Sequence, residues 1–318
     1  MNKNRKAIRN KPIPESFRGK FYLDPTYDPA FKELFDSEVS LKDFLDGVLE
    51  LDGDDRIKNL KFSFDTAFNF RTPQRKKVIV DIFAMTGTRR FLNIEMQKIE
   101  HDFFIDRVFL YKAFLMIKGK QEMDESDVFT ALSKGEKELR RYELPETISI
   151  WICDFDLPGA KGEYKDEWAT YSRVALKRGE TAPIFPKNKY IFLSIPNFKK
   201  SADEVKGAMD VWLYLLNHAG DGKELPNFGS EAVEEALERI RVDKADDELL
   251  SDQEKDMSLK EDYRIVLAGA KIRAQEEGRA EGRAEGKREM ARALKAMGDP
   301  VEKIMTVSGL TKAEVEAL

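Results

Sequence analysis

Two strand-like segments of the sequence carry polar side chains of types that bind metal ions. Asp81 interrupts the apolar run "VIVDIF", and Glu95 and Gln97 end the alternating run "RFLNIEMQ". Glu95 and Gln97 are two residues apart, so on a strand they lie on the same face. A carboxylate among β-branched residues is costly to bury unless it meets a cation or hydrogen-bond donors. A solvent-facing edge of a sheet would also explain these residues, so the pattern leaves both a structural and a functional interpretation open.

A tight connection is expected to bring the two carboxylates together. The segment "TGT" separates two strand patterns and predicts a β-hairpin formed by residues 77–86 and 90–97. Across that turn Asp81 and Glu95 can approach each other. Converging carboxylates are the usual oxygen ligands of Mg²⁺, which retains waters for a substrate phosphate. The carbonyl of Met96 could serve as a third ligand.

The rest of the first 225 residues alternates between helical and strand patterns. The predicted elements are helical structure within 24–50, a strand or strand-like hairpin at 60–70, the hairpin, an amphipathic helix over 100–118, strands at 146–155 and 189–196, and a helix over 202–220. This order predicts an α/β fold with a mixed sheet flanked by helices. Asp28, just before Pro29, is predicted to be the N-cap of the first helix.

The composition indicates a packed protein of the cytoplasm. Of the 318 residues, 42% are hydrophobic, so a core is expected and not disorder. The single cysteine, Cys153, has no intrachain partner and is predicted to be a buried thiol in a strand. Two histidines, His101 and His218, are too few for an imidazole-rich zinc site or a histidine-based triad. No apolar stretch approaches the roughly 20 residues that span a bilayer, and the N-terminus lacks an apolar signal core.

Charge is distributed unevenly along the chain. Residues 231–262 contain 13 acidic and 5 basic residues, a net charge of −8, so the remaining residues carry +3 of the overall −5. The overall acidity is therefore local and does not exclude a nucleic-acid partner. The first 20 residues contain seven Lys or Arg and one acid, which predicts a disordered basic tail, with a DNA-clamping arm as the alternative.

Four segments, in this order and at these intervals, resemble the Rpn family of recombination-promoting nucleases, also labelled PD-(D/E)XK nuclease family transposases. They are "DPAFKELF", "VDIFAM", "LNIEMQ" and "DRVFLYKAF". The similarity covers roughly residues 24–220, and the "EGRAEGRAEGK" stretch is also similar to the ending of many members. The resemblance implies a restriction-endonuclease-like core and Mg²⁺-dependent DNA cleavage, with Asp81 and Glu95 as metal ligands.

By the same resemblance, Gln97 takes the place of the lysine in the E-x-K motif of the wider superfamily. A lysine there can orient the attacking water and offset the charge that develops on the phosphorane, whereas a glutamine can only hydrogen-bond. A cation is therefore expected from Lys32 or Arg107, which both match positions of the family pattern. Each also has a structural interpretation, Lys32 at the rim of the core and Arg107 in an ion pair that orients a carboxylate. Tyr111, one turn after Arg107, is predicted to pack.

The sequence thus predicts a cytoplasmic, Mg²⁺-dependent DNA endonuclease, with Mn²⁺ as a possible substitute and, by the resemblance, an association with recombination or transposition. Asp81 and Glu95 hold the metal, and Gln97 positions the attacking water. The basic loop 71–77 and the arginine pair at 89–90 are predicted to contact the DNA backbone. The alternative is a catalytically silent DNA- or protein-binding module that keeps the fold.

The chain after about residue 225 is predicted to be helical and polar. The predicted divisions are a disordered basic tail (1–20), a nuclease domain (21–225), a polar helical linker (226–290) and a small helical tail (291–318). Two capping boxes, Asp299 with Glu302 and Thr311 with Glu314, predict two short helices in that tail. The second helix is net negative and thus poorly suited to DNA, so the tail is predicted to mediate self-association. The proposed docking residues are Ile304, Val307, Leu310, Val315 and Leu318.

Overall fold

The predicted hairpin forms part of a six-stranded mixed sheet. The computed structural model describes residues 9–69, 77–157 and 159–318. The strands are β1 (Leu60–Asn69), β2 (Lys77–Thr86), β3 (Arg90–Gln97), β4 (Glu146–Cys153), β5 (Lys165–Trp168) and β6 (Asn188–Ser194). Their spatial order is β1-β2-β3-β4-β6-β5. The predicted basic loop lies largely outside the described residues, which resume at residue 77.

Strand direction changes across the sheet. β1, β2 and β3 pair antiparallel, β3 pairs parallel with β4 and β4 with β6, and β5 closes the other edge antiparallel to β6. The predicted α/β class with a mixed sheet is therefore confirmed. β5 was not predicted, because "KDEW" is four residues long and polar and gives no apolar alternation.

Eleven α-helices accompany the sheet in the described part of the chain. They are α1 (Asp28–Leu34), α2 (Glu38–Val48), α3 (Phe104–Asp124), α4 (Asp127–Thr130), α5 (Lys134–Leu139), α6 (Arg173–Lys177), α7 (Gly207–His218), α8 (Glu231–Arg239), α9 (Asp247–Ala296), α10 (Val301–Ser308) and α11 (Lys312–Glu316). The helical prediction for residues 24–50 resolves into α1 and α2, because Ser37 interrupts the helix and caps α2 by accepting from the backbone N–H of Val39.

The predicted cap of α1 is wrong by one residue. Tyr27 is the N-cap, and it makes no side-chain capping bond. Asp28 is already helical, and its carboxylate accepts a hydrogen bond from Lys32 one turn later, at 2.7 Å. Asp28 therefore does not cap the helix; it forms an ion pair with Lys32, close to Asp81.

The sheet carries apolar side chains on both faces. On one face the buried isoleucines and leucines of β3, β4 and β6 pack with the apolar sides of α1, α2, α7 and α8. On the other face, Phe104, Val108 and Tyr111 of α3 pack with Trp151 and Cys153 of β4. Cys153 is a buried free thiol, as predicted. The end of β3 is consequently enclosed from both sides, which lets polar groups there leave water.

The chain divides into two compact units, Met1–Met257 and Ser258–Leu318. The predicted boundary at 225 differs from this division, because α8 is part of the main core and not of a linker. Its buried residues there are Ala232, Val233, Ala236 and Leu237. The predicted tail of 1–20 lies partly outside the described residues, but Phe17 within it is buried in the same core.

The second unit contains a small core of its own. Ala291 near the end of α9, Ile304 of α10 and Val315 of α11 are buried together. Ile304 and Val315 are therefore not exposed for docking as the sequence suggested, whereas Val307 is 52% exposed. Self-association of this unit stays a prediction.

One of the two predicted capping boxes is present in that unit. Thr311 and Glu314 form the box at the start of α11. Asp299 makes no such box, because Pro300 is the N-cap of α10 and the Asp299 carboxylate pairs with Lys303 at 2.7 Å. No helix within the described residues is both long and apolar enough to cross a membrane.

Candidate active site

The ladder between β2 and β3 stops at the first predicted site residue. The last paired residues are Ile82 and Ile94, and one position further the Asp81 carboxylate Oδ2 accepts a hydrogen bond from the backbone N–H of Met96 at 2.8 Å. On the other neighbour, β1, the residue opposite is Asp65, which has φ of 50° and is skipped in the register. Where the backbone pairing of β2 with β3 ends, the side chain of Asp81 thus takes the place of a β2 carbonyl as the acceptor for the Met96 N–H.

The alternation of side chains along β2 changes phase at the same point. Val78 and Val80 pack on the α3 side of the sheet, whereas Ile82 and Ala84 pack on the opposite side. In a regular strand all four would share one face. Irregular strand positions of this kind re-aim side chains and are frequent beside active sites. The irregularity therefore explains how a carboxylate in an apolar strand comes to face a neighbour's backbone.

The carbonyl of Met96 points toward the same gap. The N–H and C=O of one strand residue face the same neighbouring strand, and the Met96 N–H faces Asp81. The next carbonyl, that of Gln97, faces the other way and accepts from the backbone N–H of Asp154 at 2.9 Å. The Met96 carbonyl oxygen is consequently directed to the side on which Asp81 lies.

Glu95 is enclosed on the α3 side of β3. Glu95 is 1% exposed, and its Oε1 accepts a hydrogen bond from the side-chain amide of Asn93 at 3.2 Å. Oε2 lies 4.0 Å from Nη2 of Arg107, beyond hydrogen-bond distance, and has no hydrogen-bond partner among the described residues. A buried carboxylate oxygen without a donor is costly unless a cation approaches it.

Both carboxyl groups hold protons more tightly than usual. Burial raises the pKa of Asp81 from 3.8 to about 6, against the opposing effect of the Met96 N–H. Burial also raises the pKa of Glu95 well above its ordinary value, and the neighbouring Asp81 carboxylate adds to that increase. Two neighbouring carboxylates in a poorly solvated place disfavour being ionised together, and a divalent cation between them would reverse that preference.

Lys32 lies within electrostatic reach of the pair but is itself occupied. Its Nζ donates to Asp28 at 2.7 Å and to Asp65 at 2.6 Å. Burial lowers the pKa of Lys32, but these two hydrogen bonds raise it overall, so the ammonium is charged. Its charge lowers the pKa of Asp81. Lys32 thus joins α1 to β1 beside the site, and its charge is shared with two other aspartates.

Arg107 approaches the site from α3. Its guanidinium lies over the rings of Tyr111, at 4.8 Å, and Trp151, at 5.9 Å, and faces Glu95. Tyr111 packs, as predicted. Nε of Arg107 is buried and has no hydrogen-bond partner within the described residues. The four carboxylates and two cations described so far give the site a net negative charge when all are ionised, which favours a metal ion.

Gln97 occupies the predicted position on the face of Glu95. Its side-chain amide donates to the carbonyl of Ile99 at 2.7 Å. An amide nitrogen has two hydrogens, so this bond fixes the orientation of the side chain and leaves donor capacity. The arrangement therefore fits a residue that orients a small ligand by hydrogen bonding, without supplying charge.

The donor set for a cation is small. Among the described residues no group of three or more His, Cys, Asp or Glu side chains converges as a metal cluster. Two carboxylates and one carbonyl remain, those of Asp81, Glu95 and Met96. All are oxygen donors, as Mg²⁺ and Mn²⁺ prefer, and Mg²⁺ commonly binds through one or two carboxylates. The unpartnered Oε2 of Glu95 is the observation that fits a cation best.

Two residues beside the site, Asn93 and Lys98, were not predicted. Each had a signal in the sequence. Asn93 precedes Glu95 by two residues in an otherwise apolar part of a strand, so it had to share the face of Glu95. Lys98 follows Gln97 directly, a charge at the end of a buried strand.

Lys98 ties the segment before α1 to the end of β4. The residue is 8% exposed, and its Nζ donates to Asp154 at 3.0 Å and to the hydroxyl of Thr26, with Asp24 at 3.6 Å. The ammonium also lies 4.2 Å from the ring centre of Tyr27. These contacts hold the chain just before Asp28 against the strand end.

Replacing Lys98 should therefore destabilise the fold. We expect Lys98→Met to lower the free energy of unfolding by about 2 kcal/mol, because it removes the charged hydrogen bonds that Lys98 donates and leaves the partly buried carboxylates of Asp24 and Asp154 without their cation. Urea unfolding measures the change. The matched control is Lys118→Met, which breaks a surface pair with Glu122 and should cost less than about 1 kcal/mol. Equal stability of the two variants would show that the Lys98 cluster is not structural.

The comparison with known families agrees with this geometry. The family model described as PD-(D/E)XK nuclease family transposase matches residues 25–270, which is more than half of the chain. No match was found among curated proteins or among solved structures. With the mixed sheet, the carboxylates at the opening of its hairpin and a match of this extent, the chain belongs to the PD-(D/E)XK nuclease family transposases.

Proposed function

We propose that this protein is a divalent-metal-dependent DNA endonuclease that acts in the cytoplasm, with Mg²⁺ as its cation and Mn²⁺ able to replace it. The observation that carries the proposal is the pair of carboxylates where β2 and β3 separate. Glu95 is buried and Asp81 is partly buried, the pKa values of both are raised, and Oε2 of Glu95 has no hydrogen-bond partner among the described residues. The family match supports a nuclease, and a role in recombination or transposition follows as part of the proposal.

The cation would be held by Asp81, Glu95 and the carbonyl of Met96. When bound, such a cation lowers the pKa of water and neutralises charge on a phosphate oxygen. The Met96 N–H keeps Oδ2 of Asp81 fixed, so the other oxygen of that carboxylate is the one available for a ligand. The chain's contribution is thus a partly buried, negatively charged site in which one oxygen of Asp81 is held in place.

Three side chains would act on the substrate. Gln97 lies on the face of Glu95, where its amide orients the attacking water. Arg107 can offset charge on the scissile phosphate, because its side chain is 33% exposed and its guanidinium lies beside Glu95. Lys32 contributes to the local field, although its bonds to Asp28 and Asp65 make it the weaker source of direct phosphate contact.

Cleavage of supercoiled plasmid DNA tests the proposal. The protein should convert the plasmid to nicked or linear forms with Mg²⁺ or Mn²⁺ and leave it intact with EDTA. Since backbone contacts are ionic, cleavage should weaken as salt rises. No conversion with either cation, at protein in excess over DNA, would contradict the proposed activity.

A catalytically silent binding module is the second candidate function. It is favoured by the glutamine at position 97 and by the ion pairs that occupy Lys32. In that case the protein would retain DNA on a mobility-shift gel without cutting it under any metal condition. The same plasmid samples therefore separate the two candidates.

The proposed partners are DNA and a second copy of the chain. We expect that deleting residues 275–318 lowers the mass measured by light scattering, because the deletion removes α10, α11 and the end of α9, the segment predicted to self-associate. Cleavage should fall less than in a variant of Asp81. The same oligomeric state for the full-length and shortened proteins would contradict self-association through this segment.

A further inference from the structure

A buried amide lies next to the proposed metal ligand. Asn93 is 0% exposed, and its Nδ2 donates to Oε1 of Glu95 at 3.2 Å. Its neighbours in register are Phe83 on β2 and Ser149 on β4. Residues two apart on β3 share a face, so the side chains of Asn93 and Glu95 are neighbours on that face.

Packing does not explain an asparagine at this position. Its Oδ1 is buried and has no hydrogen-bond partner within the described part of the chain. Leaving a buried acceptor unpaired costs about 1–3 kcal/mol, and an apolar side chain of similar volume would avoid that cost. A cost of this kind is expected where a side chain serves a site.

The two carboxylate oxygens of Glu95 differ in their hydrogen bonding. Oε1 accepts a hydrogen bond from Asn93, whereas Oε2 has no hydrogen-bond partner among the described residues and lies 4.0 Å from the guanidinium of Arg107. The backbone N–H of Asp81 is also close enough to the Glu95 carboxylate to lower its pKa. A glutamate has three side-chain torsions to fix, and burial alone does not choose which oxygen faces a ligand. The amide of Asn93 makes that choice.

We propose that Asn93 is a positioning residue that holds Oε1 of Glu95 so that Oε2 is presented to a divalent cation. The inference rests on the proposed function, because it deepens the description of the same metal site. Residues that hydrogen-bond metal ligands typically change metal affinity by about 10- to 100-fold when replaced. Asn93 would therefore determine how tightly the cation binds, with little effect on the chemistry once it is bound.

The test is titration of the full-length protein with Mn²⁺ by calorimetry, without DNA. We expect Asn93→Leu, which has a similar shape and no donor, to weaken Mn²⁺ binding by about tenfold. The Mn²⁺ concentration that gives half-maximal plasmid cleavage should rise by a similar factor, while the rate at saturating Mn²⁺ stays within about threefold. A purely structural role would lower thermal stability without this recovery at high Mn²⁺.

Ser149→Ala is the matched control. Ser149 is also 0% exposed and lies beside Asn93 in the parallel register, but its hydroxyl accepts from Nε1 of Trp151 at 2.9 Å and does not contact Glu95. Its Mn²⁺ affinity should equal that of the wild type. If Asn93→Leu fails to fold, Asn93→Ser and Asn93→Ala are compared, since only the serine keeps a donor, and the serine variant should bind Mn²⁺ more tightly.

The outcomes separate this inference from the function on which it rests. If the wild type neither binds Mn²⁺ nor cleaves DNA, the proposed function fails. If the wild type does both and a folded Asn93→Leu binds Mn²⁺ equally well, or if the serine and alanine variants bind it equally, the positioning role of Asn93 is overturned and the proposed function stands.

Discussion

Asp81→Asn and Glu95→Gln should each reduce DNA cleavage by roughly 10³-fold or more while the protein remains folded. A neutral amide of the same shape is a far weaker ligand for a hard cation than a carboxylate, and the cation supplies several kcal/mol of transition-state stabilisation. Plasmid conversion with Mg²⁺ measures the loss, and circular dichroism confirms the fold.

A matched control exists in α2. Asp46 is a buried carboxylate that, like Asp81, accepts a hydrogen bond from a backbone N–H, that of Ile57 at 2.9 Å, and burial raises its pKa as well. Asp46→Asn removes a charge of the same kind away from β2 and β3 and should leave cleavage within a few-fold of wild type. Wild-type cleavage by Asp81→Asn would remove Asp81 from the site.

Asp81→Asn, which should reduce cleavage, should increase the stability of the metal-free protein at neutral pH. The folded pKa of Asp81, about 6, lies above its unfolded value of 3.8, so the folded state binds the proton more tightly. The ionised carboxylate therefore costs stability at neutral pH, on the order of 2–3 kcal/mol, and the cost disappears as pH falls through 6 toward 4. The metal-free wild type should thus gain stability relative to Asp81→Asn between about pH 7.5 and pH 5.5.

Gln97→Ala should lower turnover by roughly 10- to 10³-fold, the range expected when a donor to the reacting groups is lost. Single-turnover cleavage at saturating Mg²⁺ measures this effect separately from binding. The hydrogen bond from Gln97 to the Ile99 carbonyl is also lost, so the thermal stability of the variant has to be compared with wild type.

Gln97→Lys distinguishes charge from hydrogen bonding at the same position. It should be tolerated or mildly activating, because a lysine can orient water and also offset negative charge. An inactive Gln97→Lys that still binds Mn²⁺ would show that a neutral amide is required there. Full activity of Gln97→Ala would exclude Gln97 from the reaction.

Local periodicity was sufficient to predict the centre of this fold. A Gly-centred turn between two alternating strands identified the β2–β3 hairpin, and a spacing of two placed Glu95 and Gln97 on one face. The irregular pairing at Asp81 was not predictable, because no local pattern signals that the β2–β3 pairing ends at Ile82 or that Asp65 of β1 has a left-handed backbone and is skipped in the register.

Contacts between distant segments account for most of what the sequence left out. Lys32 meets Asp65 and Lys98 meets Asp154 across 33 and 56 residues, and no spacing rule connects such pairs. The burial of α8 was readable, since "EAVEEALERI" has apolar residues at helical spacing, but its strong acidity suggested a linker. The acidic composition reflects the exposed side of α8, whereas the apolar side is buried in the core.

Proton-linked calorimetry tests most directly whether Asp81 and Glu95 bind one divalent cation between them. Mn²⁺ is titrated into the protein near pH 6 in buffers of different ionisation enthalpy, which reports the protons released on binding. Because both carboxyl groups have raised pKa values, the wild type should bind Mn²⁺ with release of protons, and Asp81→Asn should bind weakly or not at all. Equal Mn²⁺ binding by the two proteins, or binding without proton release, would contradict this shared binding.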